Sequence, residues 1–332
     1  MNQKIKRGLT ANEMIVVYII LALCILIGII NPAFANVSTA VTLLRSMLVT
    51  LIFAAFEMLV IISGGIDVSF PAVAGFAMYA AAKIMNAAEW DSVALAFLIA
   101  VIIGILFGSL NAVLVAKLEI PPLIATLGVS SVANGATLAF LGSKEINRLP
   151  ESLGKLSKVF IYEYTGESGL TYQLTVLILI PAAIYIFLWL LLKYTMLGRG
   201  IYAIGGDKNA ARIAGFRVVF IQSFVYVIAG AFAGVGGVVY MILMRQAHPQ
   251  VLMGSEMMVI AAVVMGGTRI TGGHGTISGT ILGVTLIALI QNNLIMLGIP
   301  AYGQTFVVGL LIVLGTSITS LRTKKIQNSI KV

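Results

Sequence analysis

Lys193–Gln222 reads KYTMLGRGIYAIGGDKNAARIAGFRVVFIQ, a long water-facing break in a chain that is otherwise mostly apolar. Its first part, residues 195–206, carries Gly198, Gly200, Gly205 and Gly206 and predicts a run of turns. A short helix with marked ends follows. Asp207 suits the N-cap, because its carboxylate can accept from the first free backbone N–H groups. Gly215 suits the C′ position, where left-handed backbone strains a glycine little. The residues between them make about two turns, and nucleation outweighs so few hydrogen bonds. Such a helix needs a surface to lie on. Ala210, Ala211 and Ala214 allow close approach, with Ile213 and Phe216 as apolar anchors. The plain reading is an ordered interhelical loop. The sharper reading is a docking element for a cytoplasmic partner, carried by Gly205, Asp207, Ala210, Ala211, Arg212 and Gly215.

Apolar residues make up 60% of the chain and charged residues 10%, against about 25% charged in soluble domains. With a mean hydropathy of +1.06, the composition is that of an integral membrane protein. Its apolar stretches are long runs rather than alternating ten-residue segments, so helices are expected and a barrel is not. No cleavable signal is expected at the start. The single cysteine, Cys24, falls inside the first apolar run and has no metal-ligand neighbour.

A spanning helix needs about 20 apolar residues. The expected spans are 14–30, 47–63, 70–85, 93–116, 121–141, 174–192, 224–244, 257–267, 277–297 and 303–320. The fold class is thus an all-α polytopic membrane protein of about ten helices, with a single transmembrane domain over residues 1–332. The even number puts both termini on one side. With that side cytoplasmic, about two-thirds of the 21 Lys and Arg residues fall on inner segments, as the positive-inside rule requires. Residues 193–222 then form a cytoplasmic loop and 142–172 an external one. The net charge of +9 is therefore a topology signal, and no nucleic-acid partner is expected.

Glycine-rich breaks interrupt the apolar texture. GGIDVS at 64–69 and GGTRIT at 266–271 each follow an apolar run, a weak internal symmetry of the kind transporters show. Neither has the order of a phosphate loop. Glu57 is the only acid well inside an apolar run; at depth it costs roughly 2.5–3.5 kcal/mol and should face the bundle or water. Its plain reading is a hydrogen-bonded structural glutamate, its sharper reading a pathway residue. Asp67 reads as a cap at the Gly-Gly break or a gate. Asn111, Asn134 and Asn292 join them as pathway candidates, with helix packing as the default for amides. No catalytic constellation, metal set or intramembrane acid pair is visible, so the energy for transport is expected to come from another subunit.

Several blocks in order carry a family resemblance. They are ISGGIDVSF (62–70), NAVLVAKLEIPPLIATLG (111–128), GRGIYAIGGDKNAARIAGF (198–216), IAAVVMGGTRITGGHGTISGTILG (260–283) and QNNLIMLGIPAYGQ (291–304). Together they resemble the permease subunits of bacterial ABC importers for simple sugars of the ribose, xylose and galactoside type, over residues 43–319. The chain departs from that pattern at Phe70-Pro71, Asn134 and Glu57. The resemblance implies a ten-helix, type II importer-like bundle in the bacterial inner membrane, both termini cytoplasmic. It also implies a second permease, identical or not, two cytoplasmic ATP-binding subunits that hold ATP and magnesium, and a periplasmic or lipid-anchored sugar-binding protein. The permease itself needs no cofactor and hydrolyses nothing. The coupling element of that family would fall on 205–215. Permeases for branched-chain amino acids or nucleosides look similar, and an ion-coupled secondary carrier is the alternative of another class.

Overall fold

The computed structural model describes residues 12–166 and 169–296, with 303, 306, 309, 310 and 313. Helices dominate. They are α1 Asn12–Ile30, α2 Val37–Ile62, α3 Phe70–Ala87, α4 Val93–Ala112, α5 Pro122–Ala136, α6 Glu151–Leu156, α7 Leu179–Tyr194, α8 Met196–Gly206, α9 Lys208–Ile213, α10 Val218–Met244, α11 Glu256–Met265 and α12 Ile277–Met296. π-turns at Val113–Lys117 and Thr137–Leu141 prolong α4 and α5.

Six described helical stretches are long and apolar enough to cross a membrane: Glu13–Ile30, Val37–Ile62, Val93–Lys117, Pro122–Leu141, Val176–Tyr194 and Val218–Met244. The third expected span is α3, a largely buried helix; the eighth, α11, has only 10 residues. The tenth, 303–320, falls almost wholly outside the described residues, so ten spans remain an expectation.

The centre of the bundle is α2. Every residue from Leu51 to Ile62 is buried, the signature of a helix wrapped by others on all sides. α1, by contrast, exposes Leu21, Ile25 and Ile29, as a lipid-facing helix does. The most extensive seam joins α4 to α10. A Cβ at Gly104 would lie 2.1 Å from the Gly230 carbonyl oxygen, one at Gly108 2.5 Å from that of Tyr226, and one at Gly234 2.2 Å from that of Ala100. Small residues let the two backbones meet, the usual device where lipid supplies no hydrophobic drive.

Two expectations need correction. Residues 195–206 are not a run of turns; they form α8, capped by the Thr195 side chain, which accepts from the Gly198 N–H. Its glycines serve close packing instead. A Cβ at Gly198 would strike the backbone of Leu191 and Leu192, and one at Gly200 the side chains of Ile221 and Phe216. The stretch 193–222 therefore holds the end of α7, the unexpected helix α8, the expected short helix α9 and the start of α10. Likewise 142–172 is not plain loop: it carries α6 and most of an antiparallel hairpin, β1 Phe160–Thr165 with β2 Thr171–Thr175.

Hydrogen bonds sort the helix ends into two groups. At one end Glu13 accepts from Thr276 and Ser278, and Lys208 reaches Glu119. At the other, Asn86 donates to the Arg148 carbonyl, Asp91 accepts from the Ser152 N–H, and Ile146 bridges to Ala247.

Candidate functional site

Two structures meet at the end that holds α8 and α9: a buried polar cluster and a three-way glycine junction.

The cluster forms because α2 stops abruptly. Gly64 takes φ +88, the Gly64 N–H donates to the Ile61 carbonyl, and the Gly65 N–H donates to the Val60 carbonyl. This is the Schellman ending. The chain then runs unwound through residues 65–69 and turns back beside the last turns of α2. The Asp67 N–H donates to Glu57 Oε1 at 3.3 Å. Asp67 Oδ1 accepts from the Ser69 N–H at 2.7 Å and the Ser69 hydroxyl at 2.6 Å. Asn111 Nδ2 on α4 donates to Ser69 Oγ at 2.8 Å. Thr126 on α5 accepts from the Val68 N–H and donates to the Pro122 carbonyl. Unwound backbone at depth is tolerated where protein groups satisfy it, and these side chains do so. Phe53, Phe56 and Phe70 wall the cluster, with ring centroids 5.0–6.0 Å apart.

Three of the five pathway candidates, Glu57, Asp67 and Asn111, thus share one network. The other two lie apart. Asn134 Oδ1 accepts from Gln250, and Asn292 donates to Ser46, both towards the hairpin end. Ser69, Thr126 and Tyr226 belong to the cluster and carried no separate signal in the sequence. The Tyr226 hydroxyl rests on the unwound strand: a Cβ at Gly65 would lie 2.3 Å from it.

The junction lies next to this cluster. A Cβ at Gly205 would be 1.7 Å from the Ile62 carbonyl oxygen and 2.5 Å from the Gly273 nitrogen. Gly273 N–H donates to that same Ile62 carbonyl at 2.9 Å. Gly272, at φ +87, packs against Gly205 and Gly64. Gly64, Gly205, Gly272 and Gly273, from three separate stretches of the chain, converge here. Tyr202 on α8 fastens the contact by donating to the Gly275 carbonyl.

From the junction α9 projects with both its ends closed. Asp207 Oδ1 accepts from the Asn209 and Ala210 N–H groups at 2.8 Å each. Gly215, at φ +88, ends the helix, with its N–H on the Arg212 carbonyl and the Phe216 N–H on that of Ala211. Ala211 is buried in the chain's own core, whereas Ala210 is exposed and Ile213 is 89% exposed. The alanines therefore divide: one seats the helix, the others face out. Lys208 (3.1 Å) and Arg212 (3.8 Å) pair with Glu119 between α4 and α5. The hydrogen bond from Lys208, then the charges of Lys208 and Arg212, hold the Glu119 carboxyl below its ordinary range. Sequence reasoning missed Glu119, because a lone loop acid carries no periodic signal.

Residues 38–315 match the family described as branched-chain amino acid transport system / permease component. The autoinducer 2 import system permease protein LsrC of Yersinia enterocolitica (serotype O:8 / biotype 1B) is 33% identical over 293 residues, covering 88% of this chain and 78% of the relative. The ribose import permease protein RbsC of Escherichia coli (strain K12) is 30% identical over 298 residues, covering 89% and 90%. RbsC of Bacillus subtilis (strain 168) is 32% identical over 292 residues, covering 88% of each. No solved structure matches the chain. The match spans the region where the sequence blocks lie, and the chain belongs to this family of transport-system permease components.

Proposed function

We propose that this protein is the membrane permease subunit of an ATP-driven, binding-protein-dependent importer of a small sugar, a pentose or hexose or a molecule of that size. Family membership supports a permease, and relatives named for ribose and autoinducer 2 import support a sugar-like solute. The family's own description keeps branched-chain amino acids as the second reading. An ion-coupled carrier working alone has less support, since the family is a component of a transport system.

α9 is the docking site for the cytoplasmic ATP-binding subunit, which supplies ATP and magnesium. The observation that carries this is its construction: a six-residue helix capped at both ends, seated through Ala211, and offering Ile213 outward. A water-exposed isoleucine on a rigid mount is suited to fill a partner's apolar pocket. Motion received there has a short route inward. Gly205 is in backbone contact with Ile62 at the end of α2, and the unwound segment that bonds to Glu57 begins three residues later. Closure of two ATP-binding subunits would pull on α9 and, through Gly205, on that segment. Direction then requires the solute to bind the outward and inward states with different affinity. A second permease, a periplasmic or lipid-anchored binding protein, and cytoplasmic termini complete the arrangement.

The test is Ile213→Asp in the assembled transporter. Co-purification of the ATP-binding subunit should fall at least tenfold, and ATPase stimulation by sugar-loaded binding protein should be lost, with permease yield unchanged. Retention of both would move the docking site elsewhere. A thermal-shift screen of the cognate binding protein against sugars and branched-chain amino acids separates the two solute readings.

A further inference from the structure

Glu57 and Asp67 are both buried, and no ion pair among the described residues reaches either. Two carboxyl groups held so deep are neutralised by a proton or a countercharge. Around them, Glu57 Oε2, Asn111 Oδ1 and the Tyr226 hydroxyl are buried without a hydrogen-bond partner. Gln222 Oε1, one turn before Tyr226 on α10, is in the same condition. The set is dominated by acceptors; only the phenol can also donate. The single phenol proton can satisfy only one of these acceptors, whereas a cation can satisfy several at once. Glu57, Asn111 and Tyr226 meet the unwound stretch between α2 and α3, and broken helices in membrane proteins use this kind of backbone to coordinate small cations.

We propose that this cluster binds a sodium-sized monovalent cation, with oxygens of Glu57, Asp67, Asn111 and Tyr226 as its ligands. The donor set is oxygen alone, which suits hard cations and excludes metals that need thiolate or imidazole. Calcium takes six to eight oxygens, typically from several carboxylates. Here there are two, and no group of three His, Cys, Asp or Glu occurs among the described residues. One cation and one proton neutralise the pair. The bound ion fastens the unwound strand to α2 at the place where the junction delivers motion. It acts as a counter-ion within the permease, not as its energy source, and the inference stands whichever solute is carried.

The experiment uses the full-length permease in detergent, comparing sodium chloride with choline chloride at constant ionic strength. Sodium should raise Tm by a saturable 2–5 °C or so. Binding of radioactive sodium, measured directly, should saturate in the wild type. Glu57→Gln and Tyr226→Phe should each cut sodium binding at least tenfold, even in preparations of reduced stability. Equal Tm in the two salts together with no saturable sodium binding would overturn the proposal. So would sodium binding that survives both substitutions, or a Tm response to calcium alone.

Discussion

The two Gly-Gly breaks end their helices alike and then part company. At the first, the C′ and C″ N–H groups of Gly64 and Gly65 return to Ile61 and Val60; at the second, those of Gly267 and Thr268 return to Val264 and Val263. Gly64 and Gly267 take nearly the same φ, +88 and +99. The structural match is therefore Gly64 with Gly267, one residue out of step with the alignment that GGIDVS and GGTRIT suggest. In this register Asp67 corresponds to Ile270. Asp67 is 2% exposed and Ile270 is 50% exposed. The polar residue went in and the apolar one stayed out. Local chemistry stopped both helices, but tertiary partners chose the destination: Glu57, Asn111 and Thr126 receive the first strand, while the second loop folds back against the end of α2.

The largest expected effect tests whether the two breaks meet at Gly205. Its missing side chain faces backbone, which cannot swing aside, so Gly205→Ala should cost about 3 kcal/mol. Gly206→Ala meets nothing within 4 Å and should stay within about 0.5 kcal/mol. Thermal unfolding of both proteins in detergent decides it; equal values would mean the junction bears no load.

Next comes the contrast between buried and exposed break. Glu57→Leu strips the Asp67 N–H of its acceptor and should cost about 1–3 kcal/mol. Glu57→Gln keeps an acceptor and should lose less. Ile270→Ser, at the matching surface position, should change stability by no more than about 0.5 kcal/mol. A Glu57→Leu protein as stable as Glu57→Gln would show that hydrogen bonding is not what the site needs.

Gly215 offers a third ending of the same kind, outside the bundle. A Cβ there meets open space, so Gly215→Val is resisted by backbone strain alone, about 1–2 kcal/mol. The loss should appear as weaker retention of the ATP-binding subunit rather than as lower permease yield. Unchanged retention would separate the shape of α9 from docking.

The smallest effect concerns the ion pairs of α9. The Glu119 carboxyl titrates below its ordinary range when folded. Its contribution is present above the unfolded value, near 4.3, and fades as pH falls through the lower folded value. Tm should therefore fall less on acidification below about pH 4.5 in Glu119→Gln than in the wild type. Parallel pH profiles would mean the pairs with Lys208 and Arg212 contribute nothing.

What was legible in the sequence was what depends on near neighbours. Asp207 and Gly215 cap α9 as read, because a cap is decided by the residue and its own backbone. Glu57 was legible as a buried acid from its apolar surroundings. What depends on distant chain was not. Gly198, Gly200 and Gly205 read as turns, since nothing nearby reveals the carbonyls and side chains packed against them. Asp67 read as a cap or a gate at the Gly-Gly break, and its full burial was not legible, because the partners of its strand, Asn111 and Thr126, lie far along the chain. The hairpin was missed in a segment read only for its charge.

The α4–α10 seam has a mechanical consequence. Contacts at Gly104, Gly108 and Gly234 set glycines of one helix or the other directly against a facing carbonyl. Backbones this close leave little room for either helix to shift on its own. In a transport cycle the two helices are then expected to move as a single strut, with the larger motions around it.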